Sequence, residues 1–220
     1  MKSCIRLYSL LLAGLCVTLA AVVVPAQEKN EARHDADTRA LTAAPPTDST
    51  TEGSVTVGGQ AIAYRAVAGT LTVGSTDVQD AMIGLDGKYL PDSGIDLPAK
   101  PEDQPASARL FYAAYFKKGA TASTRPITFL YNGGPGSATM YLHMGAFGPR
   151  RLVVPDAEHK EAAPYALVEN QYSLLDASDL VFIDAPGTGF SRVLGKDAGK
   201  SFWGIDEDGH AFDRFIRLPC

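Results

Sequence analysis

Pro126-Ile127-Thr128-Phe129-Leu130-Tyr131-Asn132-Gly133-Gly134-Pro135-Gly136 is a short apolar run that breaks abruptly into a loop with three glycines in five residues. Apolar runs of this length, bounded by turn residues, are what strands covered on both faces look like. The glycines let the backbone turn sharply and leave its N–H groups uncovered by side chains, which is what an anion or oxyanion site requires. The residues that follow, Ser137 to Met144, are able to start a helix whose N-terminal dipole adds positive potential at the same place. The stretch predicts a strand, a loop built to receive negative charge, and a helix.

Three readings of that loop compete. A phosphate loop ends in Gly-Lys-Ser/Thr, whereas this one runs Gly136-Ser137-Ala138, and Thr139 stands where a dinucleotide fingerprint has its third glycine. A purely structural tight turn is the plain reading of any Gly/Pro cluster and stays open. An oxyanion-hole loop at the end of a hydrolase strand fits best.

Working outward, Leu180-Val181-Phe182-Ile183 is a second apolar run, set between Asp179 and Asp184, and it implies a central sheet. Arg109 to Lys117 has the aromatic and apolar content of another strand. Further back, Val55 and Val57 alternate with Thr56, Gly58-Gly59 supplies a two-residue turn, and Ile62 and Tyr64 alternate after it, the pattern of a β-hairpin. Toward the end, Ile205, Phe212, Phe215 and Ile216 recur at helical spacing behind Asp206, Glu207 and Asp208, so a helix is expected from about Ile205 to Arg217. In an α/β layout a crossover helix delivers the next parallel strand, and no strand-like run follows this one. The expected fold is therefore unfinished at residue 220.

The first 26 residues combine Lys2 and Arg6, an apolar run from Leu10 to Val24, and small residues Val24 and Ala26 before a cleavage point, the layout of a secretory signal peptide. No stable membrane span is expected after its removal, and the chain is expected to be exported, to the periplasm or beyond. Residues 27–52, rich in Ala, Thr, Glu, Asp and Pro without apolar period, read as a flexible leader. Cys4 and Cys16 leave with the signal, so Cys220 alone remains and no internal disulfide is possible. The formal charge of −5 becomes two units more negative once Lys2 and Arg6 are removed. An acidic chain without a long Lys/Arg cluster argues against a nucleic-acid partner, and Lys117/Lys118 and Arg150/Arg151 read as surface charge. No His/Cys/Asp/Glu group has metal-ligand spacing, so no metal is expected.

Two linked stretches, FLYNGGPGSATMYLHMGAFGPRRL and ENQYSLLDASDLVFIDAPGTGFSR, make the sequence specific. Together they resemble the serine carboxypeptidase family, with its Asn-Gly-Gly-Pro-Gly loop, its Gly-Pro further on, and a strand ending in Asp-x-Pro ahead of Gly-Thr-Gly-Phe-Ser. The resemblance runs from about Arg109 to Arg217. It implies an α/β-hydrolase-like sheet with N-terminal antiparallel hairpins, truncated before the nucleophile elbow, within a domain spanning 53–220. It also implies an acyl-enzyme peptidase that needs no cofactor and takes a peptide with a free C-terminus. By the same resemblance, Gly134 donates its backbone N–H to the tetrahedral intermediate, while Asn132 and the Gly133 backbone hold the substrate carboxylate. Ala146 stands where family members have a carboxylate-binding glutamate, Leu130 replaces a tryptophan, and Asp184-Ala185-Pro186-Gly187 is one residue shorter than the family pattern.

The catalytic triad is missing. No Gly-x-Ser-x-Gly elbow occurs in the 220 residues. Ser191, in Gly189-Phe190-Ser191-Arg192-Val193, lacks the second glycine and reads as structural. Triad order puts the histidine after the serine, which leaves His34, His143, His159 and His210 as packing or surface residues. His143 keeps a place near the loop, and Asp184 reads as structural. The expected function is a serine carboxypeptidase whose N-terminal part, represented here, is inactive alone. An acyltransferase or esterase of the same fold, and a secreted non-catalytic binding module, remain as alternatives.

Overall fold

In chain order the strands are β1 (Ser49–Val57), β2 (Gln60–Gly74), β3 (Ser107–Lys117), β4 (Ile127–Leu130), β5 (Arg150–Leu152), β6 (Leu167–Glu169), β7 (Asp179–Ile183) and β8 (Arg192–Leu194). The helices are α1 (Asp77–Asp80), α2 (Met140–Leu142), α3 (Ala198–Phe202) and α4 (Ile205–Arg217). This is a computed structural model that describes residues 47–133, 136–154 and 163–217. The signal segment, the leader up to residue 46, Gly134 and His159 lie outside the described residues.

β1 and β2 form the expected hairpin, with Val57 opposite Gln60 across Gly58-Gly59. Both glycines have positive φ, 56° and 80°, which matches a two-residue turn to the twist of its strands and costs glycine nothing. The strand begins at Ser49, inside the stretch read as leader, with Thr50 and Glu52 opposite Val67 and Arg65. These residues are exposed, so the backbone ladder holds them without apolar burial, which composition alone does not show.

β2 runs antiparallel to β3 from Gly74 opposite Ser107 to Tyr64 opposite Lys117. β7 pairs antiparallel with β3 and parallel with β4, giving the order β1-β2-β3-β7-β4, while β8 adds to the start of β3. The result is a mixed α/β sheet. All five residues of β7 are buried, as its unbroken apolar run predicts. Val181 and Ile183 pack on one face with Leu110, Phe202, Phe212 and Phe215, and Leu180 and Phe182 pack on the other with Val55, Ile62 and Leu175.

β4 corrects an expectation. It is the outermost strand of the described sheet, Ile127 is 42% exposed, and its other residues are only half-buried. Its apolar run is that of an interior strand, yet one of its edges has no partner among the described residues. Where β4 and β7 begin, the Asp179 carboxylate accepts from Arg125 Nε at 2.8 Å and from the Lys117 N–H at 2.9 Å, and Arg125 also donates to the Leu175 carbonyl. Arg125 and Asp179 are both nearly buried, so this pair joins β3, β4 and β7 at one corner.

α4 spans the expected residues, but its inward face is Ala211, Phe212 and Phe215. Ile205 is 93% exposed and Ile216 45%, because the helix meets the sheet only from its second turn onward and Ile216 points off the packed stripe. Burying each phenylalanine contributes about 1.5–3 kcal/mol. Arg214 fixes the helix to the end of β2 through the Gly74 and Ser75 carbonyls, at 2.6 and 3.1 Å, and through Asp80 at 3.0 Å. The helix expected from Ser137 also changes: α2 starts only at Met140 and passes at once into a π-helical turn, His143–Phe147. Its dipole is too short to add potential at the loop, and the Thr139 N–H that precedes it is already bonded to Asp184.

Candidate active site

The glycine-rich loop leaves the carboxyl end of β4, beside the carboxyl end of β7, where ligands bind in open α/β sheets. Asn132 is half-buried and holds the loop to itself. Its side-chain amide donates to Ser137 Oγ at 2.7 Å and to the Ala138 carbonyl at 3.4 Å, and its backbone N–H donates to Thr139 Oγ1 at 3.1 Å. Gly133 is exposed, with open space where a side chain would stand.

Thr139 joins this loop to the next. Its hydroxyl donates to the Ile183 carbonyl at 2.5 Å and its N–H donates to Asp184 Oδ1 at 2.8 Å. The other oxygen of Asp184 accepts from the Phe190 N–H at 3.0 Å. Asp184 is buried and holds the glycine-rich loop and the Gly187-Thr188-Gly189-Phe190 loop with one carboxylate. Gly189 must be glycine for this: its φ is 50°, and a Cβ there would collide with the Asp184 carboxylate.

Ser191 is fully buried. It donates to the Asp184 carbonyl at 2.7 Å and accepts from the Phe111 N–H at 2.8 Å, so it ties β3 to the loop as a structural residue. His143 stacks on Phe182 at 4.6 Å and shares a 2.7 Å hydrogen bond with Tyr115. Burial pushes its pKa down, against a smaller upward pull from Asp184, and burial pushes the Tyr115 phenol up to about 12. His143 faces a separate cavity and not the glycine-rich loop's cleft. His210 is exposed on α4, and His34 lies outside the described residues.

Two residues that organise the site went unassigned in the sequence. Thr139 served there only to reject a dinucleotide motif. Asn170 is fully buried: its amide donates to the Ala146 and Gly148 carbonyls at 2.6 and 2.8 Å, and its Oδ1 accepts from the Tyr172 N–H at 3.1 Å. It fixes the turn that carries Ala146. Its sequence signal is its place near the start of the ENQYSLLDASDLVFIDAPGTGFSR stretch that carries the family resemblance.

Asn132, Gly133 and Gly136 from one loop and Ala185, Pro186, Gly187 and Thr188 from the other line a single open cleft of about 650 Å³, bordered by Trp203, Ile205 and Asp208. A family model for serine carboxypeptidase matches residues 101–212, which takes in both loops and half of the chain. The chain belongs to the serine carboxypeptidase family. A search of the curated proteins finds no match. As a family member the chain is of a hydrolase type that acts on peptides, and both loops that meet at the cleft lie within the matched residues. Among the described residues no helix is long and apolar enough to cross a membrane, and no three His, Cys, Asp or Glu side chains gather as metal ligands.

Proposed function

We propose that this chain forms the oxyanion and carboxylate-holding side of a serine carboxypeptidase site. The observation that carries the reading is the cleft where the two family loops meet, one of them rich in glycine and fixed from behind by Thr139 and Asp184. Gly134 supplies the oxyanion N–H, and the Gly133 backbone holds the substrate's terminal carboxylate. The amide hydrogens of Asn132 already meet Ser137 and Ala138, so its part is to fix the peptide plane of Gly133. A preorganised donor of this kind contributes roughly 2.7 to 4 kcal/mol to the transition state. The sheet is read as the N-terminal part of an α/β-hydrolase, with the outer edge of β4 receiving the strand that carries the nucleophile. The signal-like first 26 residues support an exported enzyme.

Acyl transfer or ester hydrolysis on the same scaffold is the second reading. Ala146 favours it, since a methyl group held in the Asn170 turn offers no hydrogen bond to a substrate carboxylate.

Fluorophosphonate labelling and a blocked dipeptide assay of the 220-residue chain test the division of labour. The expected result is no adduct and no released amino acid. An adduct on Ser191 with turnover would overturn it.

A further inference from the structure

On the sheet face opposite α4, the side chains of Ala66 and Ala68 on β2 and Ala113 on β3 are small and leave a cavity of about 570 Å³. Its walls include Phe111 and Phe190, whose rings meet edge to face at 5.2 Å, and the thioethers of Met140 and Met144. Phe190 is 72% exposed and Met140 51%, so the described residues leave two large apolar side chains at the rim largely uncovered. Thr139, which receives the Asn132 N–H, also lines the cavity.

The polar groups here are few, and Asp184 is the one acidic side chain among them. The hydrogen-bonded Tyr115 and His143 pair is uncharged near pH 7, since burial raises the phenol's pKa and lowers the imidazole's. Each oxygen of Asp184 is engaged by a backbone N–H, and neither lysine nor arginine is among the lining residues. An anionic guest entering this space loses its hydration, meets no cation among the described lining residues and faces the Asp184 carboxylate. Ring edges and sulfur favour an aromatic guest over an alkyl chain. The volume lies in the range of small-molecule sites, which are mainly apolar with a small number of placed polar groups.

We propose that this cavity is a second binding site, distinct from the loop cleft, for an aromatic small molecule that has no negative charge and carries one hydrogen-bonding group that meets the Tyr115 and His143 pair. The site does not depend on the peptidase reading and stands or falls separately.

The test uses the 220-residue chain, with 2-naphthol as probe and naphthalene-2-sulfonate as its charged counterpart, followed by calorimetry. The expected result is saturable one-to-one binding of 2-naphthol and at least tenfold weaker binding of the sulfonate. Ala68→Leu, which fills the floor, abolishes binding. Phe190→Ala, a change at an exposed side chain that leaves folding intact, weakens it. Tyr115→Phe weakens 2-naphthol by about threefold to tenfold, the loss of one hydrogen bond, and leaves unsubstituted naphthalene unaffected. Circular dichroism confirms that each variant is folded. No saturable binding by the folded chain, equal binding of the sulfonate, or a Phe190→Ala variant that binds like the parent would overturn the proposal.

Discussion

Thr139 uses its N–H and its hydroxyl to bond three groups: the Asp184 carboxylate, the Ile183 carbonyl and the Asn132 N–H. Thr139→Val keeps the shape and removes the hydroxyl, leaving a buried carbonyl and an N–H without partners. The expected cost is about 1–3 kcal/mol in urea unfolding, with Thr139→Ser recovering most of it. His143 makes stability depend on pH. Its folded pKa lies below the ordinary value of 6.5, so the unfolded state takes up the proton first. Its contribution is whole above that pH and falls away as pH drops. Between pH 7.5 and 5.5, above most carboxyl titration, the parent loses stability, and His143→Phe loses less over the same interval. Neither residue's role is legible in the sequence, because each depends on partners about 30 to 45 positions away, Tyr115 for His143 and Asp184 for Thr139.

α4 was legible because its period of apolar residues is strong and its acidic start fits the helix dipole. Which of its residues face inward is not legible, since periodicity marks a face but not where along the helix the contact begins. Phe215→Ala should cost about 3–5 kcal/mol in thermal or urea unfolding, whereas Ile205→Ala should stay within about 0.5 kcal/mol. β5, β6 and β8 have three residues each, too few for any period to show. The helix expected over Ser137 to Met144 gives way to a π-helical turn at His143–Phe147, whose far end is closed by Gly148 and Asn170.

The order β1-β2-β3-β7-β4 brings a strand late in the chain between two earlier ones. Local patterns identify strands but not their neighbours, so a sheet was legible while the outer position of β4 was not. In the 220-residue chain that edge, unpaired among the described residues, is open to pairing with other chains. Ile127→Lys should reduce concentration-dependent association in sedimentation and change unfolding by no more than about 0.5 kcal/mol. The glycine-rich loop was legible in full as a motif. Its support was not, because Asp184 and Thr139 hold it across 45 residues of sequence. The central claim is that this supported loop receives a substrate carboxylate. Titrating the ¹⁵N-labelled chain with a blocked dipeptide and with its C-terminal amide, while following backbone amide resonances, tests it most directly. The account predicts that the free acid shifts Asn132, Gly133, Gly134 and Gly136 in a saturable way and that the amide does not. Equal shifts from both, or shifts confined to residues away from the loop, would contradict it.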